Sequence, residues 1–80
     1  MKLNRSPYSA NVALRLVIAG QALVLSQVGP GFVVLREQIL ESIGPGEGRV
    51  DVIIDNSVAS SNTHFFPHGV QTGLKELIYW

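Results

Sequence analysis

The sequence predicts an all-β protein: a small antiparallel meander of five strands, forming either a barrel-like or a twisted sheet, with a possible short C-terminal helix. Three observations support this prediction. Apolar residues alternate with other residues in several segments, which is typical of strands. Glycine, proline and asparagine turns separate these segments. No long segment shows the helical spacing of apolar residues that a dominant helix would need.

The chain has 80 residues and a mass of 8.7 kDa, enough for one small domain. Residues 1–11 are polar and contain Pro7, so we expect an N-terminal arm followed by a single β domain over residues 12–80. The formal net charge is zero, whereas most nucleic-acid-binding modules carry a basic excess. The apolar share of 46% excludes an intrinsically disordered chain. There is no cysteine, which excludes disulfides, thiolate zinc sites and a cysteine nucleophile.

The first three predicted strands follow one another through short turns. Residues 12–18 alternate with period two, and Gly20 then provides a tight turn before residues 22–28. Two strands of similar length on either side of one glycine indicate a hairpin. A Gly-Pro-Gly turn at 29–31 leads into residues 32–36, which are rich in β-branched and aromatic side chains.

The second half of the chain contains two more predicted strands. Residues 37–43 are ambiguous between a helical turn and an extended crossing, and we favour a short helical or irregular connection. The glycine-rich turn at 44–48 precedes residues 49–55, where the alternation is clearest. Asp55, Asn56 and Ser57 are typical turn residues. The following residues 58–66 are mostly polar, which predicts a solvent-facing edge strand.

Aromatic and apolar residues near the end of the chain are the candidate protein interface. Phe65 and Phe66 are adjacent on a strand, so their side chains must point to opposite faces. Residues 72–80 could form a short helix with Thr72 as its N-cap. This tail either folds back to close one end of the barrel or forms an interface, because tyrosine and tryptophan are enriched at binding hot spots. The candidate set is Phe65, Phe66, Leu77, Tyr79 and Trp80.

Single-stranded nucleic acid is the alternative ligand. Small barrels bind single strands with aromatic side chains set in a basic groove. A neutral chain can still carry a local basic patch on its predicted strands. The candidate contacts are Arg15, Phe32, Arg36 and Arg49.

Motifs for catalysis or metal binding are weak. His64 and His68 are four residues apart, but Pro67 lies between them and removes the helical geometry that would place both on one metal. Serines near His64 lack the nucleophile elbow of a hydrolase. The glycine-rich turn lacks the Lys-Ser/Thr of a phosphate-binding loop. We therefore expect no catalytic residues, no metal and no cofactor.

These observations predict a non-enzymatic β interaction module that acts through self-association or a protein partner. We expect a cytoplasmic protein. We also expect no membrane span, because a Gly-Pro-Gly turn interrupts the longest uncharged stretch, residues 16–35. The sequence leaves the partner and the oligomeric state open.

Overall fold

The computed structural model describes residues 11–80, and these residues form one all-β sheet with no helix. The predicted fold class, a small antiparallel meander, is confirmed, with six strands in place of five. In chain order the strands are β1 (Val12–Ile18), β2 (Gln21–Gly29), β3 (Phe32–Leu35), β4 (Gly46–Ile54), β5 (Ser57–Phe66) and β6 (Glu76–Ile78).

Every neighbouring pair in the sheet is antiparallel, and the strand order is β5-β4-β1-β2-β3-β6. The strands β1, β2 and β3 are consecutive neighbours, whereas β4 returns to the other side of β1. The sheet is open, so the barrel-like form is not closed. Its two edges meet at one place, where Phe65 and Trp80 exchange backbone hydrogen bonds of 3.3 and 2.8 Å.

The two tight turns are formed by residues with positive φ, which Gly20, Asp55 and Asn56 tolerate better than Ala19 does. Ala19 and Gly20, which join β1 to β2, have φ values of 52° and 76°. Asp55 and Asn56, which join β4 to β5, have φ values of 51° and 67°. Two central residues with positive φ match the right-handed twist of the flanking strands, so both hairpins close without extra loop residues.

The predicted C-terminal helix does not form. Gly73 adopts a φ of +83°, which ends any helix there, and Glu76–Ile78 pair with β3 instead. Leu77 is thereby buried against the sheet, which an amphipathic helix on the surface would achieve less fully. The connection at 37–43 is irregular, and Ile43 forms an isolated bridge with Val70.

The predicted arm, residues 1–11, lies outside the described residues except for Asn11. The backbone nitrogen of Asn11 donates to the Asp55 carboxylate at 3.1 Å, and its carbonyl accepts from the Asp55 nitrogen. Within residues 11–80, nothing helical is long and apolar enough to cross a membrane.

One face of the curled sheet, here called the inner face, carries the core. Alternation places Leu16 opposite Val50 on this face, and Phe66 is fully buried beside them. The opposite, outer face is mostly exposed. The buried apolar side chains are Leu16, Ile18, Leu25, Val33, Leu35, Ile43, Val50, Phe66, Val70 and Leu77.

The two long connections touch each other at Gly69. Ile43 and Val70 exchange two backbone hydrogen bonds of 2.8 Å, which brings the Gly69 Cα against the backbone of Gly44. A Cβ on Gly69 would lie 2.6 Å from the Gly44 carbonyl and would also overlap the Ile43 carbonyl oxygen. Gly69 also has a φ of +59°, so two independent constraints require glycine here.

We expect Gly69→Ala to destabilise the protein more than Gly73→Ala does. Both glycines have positive φ, so each substitution adds about 1–2 kcal/mol of backbone strain. Only Gly69 has a backbone within reach of the new methyl group, and this overlap should add about 1–3 kcal/mol. Urea unfolding of both variants measures the difference, and equal midpoints would contradict the close contact.

Candidate interaction surface

Strand alternation divides the predicted interface residues between the two faces. Phe66 is fully buried on the inner face, and Leu77 is also in the core. Phe65, one residue earlier on β5, lies on the outer face and is 42% exposed. Trp80 is 76% exposed. The structure therefore assigns Phe66 and Leu77 to the core and leaves Phe65 and Trp80 on the surface.

Tyr79 is partly buried and packs against the core. Its hydroxyl donates to the Gly29 carbonyl at 2.8 Å, which satisfies the polar end of the side chain. Its ring lies 4.0 Å from the His64 ring and 5.8 Å from the Phe66 ring, measured between centroids. The tail therefore both folds inward, through Leu77 and Tyr79, and exposes side chains outward.

The outward side chains lie on the same face of the sheet, near its meeting edges. The rings of Phe65 and Trp80 are 6.3 Å apart and tilted by 41°, within the range of favourable aromatic pairs. Ile78 precedes Trp80 by two residues and is 51% exposed. We call Phe65, Ile78 and Trp80 the aromatic patch.

A shallow depression of about 290 Å³ adjoins the patch at Ile78. Its other lining residues include His68, Leu74 and Glu76 from the connection between β5 and β6 and from β6 itself. This volume is at the lower limit of pockets that hold small molecules.

The edge of the sheet next to the patch is unpaired over most of β5. Phe65 directs both its backbone N–H and its carbonyl to Trp80. The backbone N–H and C=O groups of alternate residues in a strand point the same way. Those of Ser61 and Thr63 therefore point to the open edge, as those of Phe65 do. Residues 57–66 contain no charged residue and no proline, two of the usual protections of an edge. A bulge at Ala59 is the one irregularity along it.

The outer face also carries a buried carboxylate between two arginines. Asp51 is fully buried, and the register places it between Arg15 on β1 and Ser61 on β5. The Arg15 guanidinium donates two hydrogen bonds of 3.0 and 2.6 Å to Oδ2 of Asp51. Arg49 donates to both carboxylate oxygens, at 2.8 and 3.1 Å, and the Ser61 hydroxyl donates to Oδ1 at 2.7 Å. We call these four residues the Asp51 cluster.

Hydrogen bonding controls the ionisation of the cluster. The hydrogen bonds from Arg49 hold the pKa of Asp51 well below its usual range, against the opposing effect of burial. Ser61 and Arg15 lower that pKa further. In turn, the carboxylate raises the pKa of Arg49 through the same hydrogen bonds. The cluster therefore carries two positive charges and one negative charge at neutral pH.

The candidate nucleic-acid contacts are brought together only in part. Arg15 and Arg49 meet at Asp51, which neutralises part of their charge. The Arg36 nitrogen donates to the Val24 carbonyl, and Val24 lies opposite Arg15, so Arg36 continues the same row across the sheet. Phe32 lies at the other end of β3, opposite Ile78.

The residues weighed for catalysis or metal binding serve other roles or lie apart. His64 stacks on Tyr79, and His68 lines the depression after β5. Ser61 donates to Asp51 rather than to a histidine. In residues 11–80 no three histidine or carboxylate side chains are close enough together to hold a metal ion.

Sequence reasoning missed the Asp51 cluster and the role of Ile78. Arg49 and Asp51 are two residues apart on the most regular strand, a spacing that places both on one face. That spacing was a usable signal for their contact. The contribution of Arg15 depends on the pairing of β1 with β4, which no local pattern reveals.

Comparison of the chain with protein-family models, with curated proteins and with solved structures finds no match.

We expect Asp51→Asn to lower stability at neutral pH and to flatten its dependence on acid. The pKa of Asp51 is lowered in the folded state, so its contribution is complete above the ordinary carboxyl pKa of about 3.9 and declines as pH falls below it. The stability difference between wild type and Asp51→Asn should therefore shrink from about pH 4 downward.

Urea unfolding at several pH values measures this difference. Ser61→Ala is the control, since it removes one of the five hydrogen bonds to Asp51 and keeps the carboxylate with both arginines. Its acid dependence should resemble that of the wild type. A constant gap between wild type and Asp51→Asn across this pH range would contradict the ionised cluster.

Proposed function

We propose that the protein is a non-enzymatic interaction module that associates with a second copy of itself through the aromatic patch. The observation that carries this proposal is the exposed Phe65–Trp80 pair at the one place where the two edges of the sheet meet. Tryptophan is the residue most enriched at interface hot spots, and Trp80 is three-quarters exposed in the single chain.

The size of the domain supports self-association. A chain of this length buries a smaller fraction of its surface than a larger domain does, and it has no disulfide to compensate. Covering Phe65, Ile78 and Trp80 removes apolar surface from water, which favours association. The zero net charge means that two copies do not repel each other at long range.

The open edge of β5 adds a second reason. Ser61 and Thr63 direct backbone groups to solvent beside the patch, and such an unpaired edge is a template for pairing with another chain. The apolar surface and the polar edge are thus continuous.

We expect the solution mass of the wild-type protein, measured by light scattering, to rise from monomer toward dimer with concentration. Trp80 is the only tryptophan, so its emission should shift to shorter wavelength over the same concentration range as the ring leaves water. Trp80→Ser should hold the protein as a monomer at concentrations where the wild type is dimeric.

Leu40→Ser is the matched control for loss of an exposed apolar side chain. Leu40 is 96% exposed on the connection between β3 and β4, outside the patch. Its substitution should leave the dimer unchanged. A wild-type protein that remains monomeric at every concentration would show that self-association is wrong.

Single-stranded nucleic acid remains the second candidate, favoured by the row of Arg15 and Arg36 across the outer face with Arg49 beside it. The pairing of two of these arginines with Asp51 reduces the charge that a phosphate backbone would meet. Titration with an oligothymidylate at low salt tests it. Binding that weakens as salt rises, and that is lost in Arg36→Gln, would support this candidate.

A further inference from the structure

Two opposite charges lie side by side next to the aromatic patch. Glu47 and Arg49 are two residues apart on β4 and share its outer face, opposite Phe65 and Thr63 of β5. Adjacent positions on one strand face are about 7 Å apart. Glu47 is exposed and has no ion-pair partner within residues 11–80. The surface therefore presents an acid and a base in fixed order along one strand.

Arg49 is positioned to accept a second carboxylate. A guanidinium carries five N–H groups, and Arg49 uses two of them on Asp51. The remaining three are available, because the side chain is 48% exposed. Asp51 also holds the guanidinium in one orientation, which reduces the side-chain entropy lost when another anion binds.

We infer that the second copy docks outer face to outer face, with Glu47 of each copy against Arg49 of the other. This inference rests on the proposed self-association and specifies its geometry. The two-fold axis lies between the two sheets, perpendicular to the strands and level with Gly48. It reverses the direction of β4 in the second copy relative to β4 in the first. It therefore places each acid over the base of the other copy. Both ion pairs form together, since a two-fold interface uses the same surface twice.

The same axis places Phe65 and Trp80 of the aromatic patch in the contact. Phe65 lies level with Glu47, so it comes over Thr63 of the second copy. Trp80 is hydrogen bonded to Phe65 on the outer side of β5, so it lies beside the open edge at Thr63 of the second copy. The two rings thus lie against Thr63 of the second copy and beside the edge that β5 leaves unpaired, while the ion pairs set the direction of the two strands.

The order of the charges favours a second copy over an unrelated protein. A pair of opposite charges on one strand is complementary to itself when the strand is reversed, and it is repulsive when the strands run the same way. Charged pairs of this kind determine orientation and specificity more than affinity. The patch supplies the attraction, and Glu47 with Arg49 selects the antiparallel arrangement.

The test is the dissociation constant of the dimer in Glu47→Lys, with Glu41→Lys as the matched control. Both substitutions change the net charge equally, and both sites are exposed. Glu41 lies on the irregular connection between β3 and β4, outside the patch. We expect Glu47→Lys to weaken the dimer by about tenfold or more, because each copy then sets a lysine against Arg49. Glu41→Lys should leave the constant unchanged within about twofold.

Glu47→Gln separates lost attraction from added repulsion. It should weaken the dimer less than Glu47→Lys, and it should reduce the salt dependence of the wild-type constant. Thermal unfolding of each variant at a concentration where it is monomeric checks that the fold is retained.

Each outcome decides a different claim. A wild-type protein without any dimer rejects the proposed function itself. A wild-type dimer with equal constants for Glu47→Lys and Glu41→Lys overturns only the reciprocal pairing of Glu47 with Arg49. A selective loss in Glu47→Lys supports it.

Discussion

The antiparallel pairing of β1 with β4 joins the two parts of the sheet. On one side of it lie β2, β3 and β6, and on the other lies β5. Seven residue pairs, from Val12 with Ile54 to Ile18 with Gly48, set the register. This register places Leu16 against Val50 in the core and, on the other face, Arg15 against Asp51. A shift by one residue would exchange the two faces, bury the arginine and expose the leucine. The Asp51 cluster thus specifies the pairing that the core also requires.

Core side chains approach the backbone of Gly48 closely. A Cβ at this position would lie 2.8 Å from Leu16 and 2.9 Å from Phe66, so these side chains fill the space that glycine leaves. Phe66 can therefore lie fully buried at the end of β5. Phe65 then reaches Trp80, and the two edges of the sheet touch at that end alone. The remaining length of β5 stays open.

The outer surface combines apolar groups that favour burial with charges that are held in place. An exposed leucine such as Leu40 is ordinary for a soluble protein, since apolar atoms cover much of any protein surface. Three neighbouring apolar side chains beside an unpaired strand edge are less ordinary. The proposed dimer would place Phe65 and Trp80 in the contact beside this edge, and the fixed Arg49 guanidinium would give that contact a direction.

Period-two alternation and turn chemistry depend only on neighbouring residues. The sequence by itself therefore determined the all-β class, the alternating strand over 12–18, the polar strand over 58–66, and the opposite directions of Phe65 and Phe66. The tight turn at Gly20 was predictable for the same reason, because its chemistry is local. Other features depended on contacts between distant residues. The segment 76–78 became a strand because β3 offered an edge, although its apolar spacing also suits a helix. Asp51 was buried because β1 brought Arg15 to it from 36 residues away. Which strands pair, in what register, and which edges meet are decided by the packing of the whole core, and only the tertiary structure shows them.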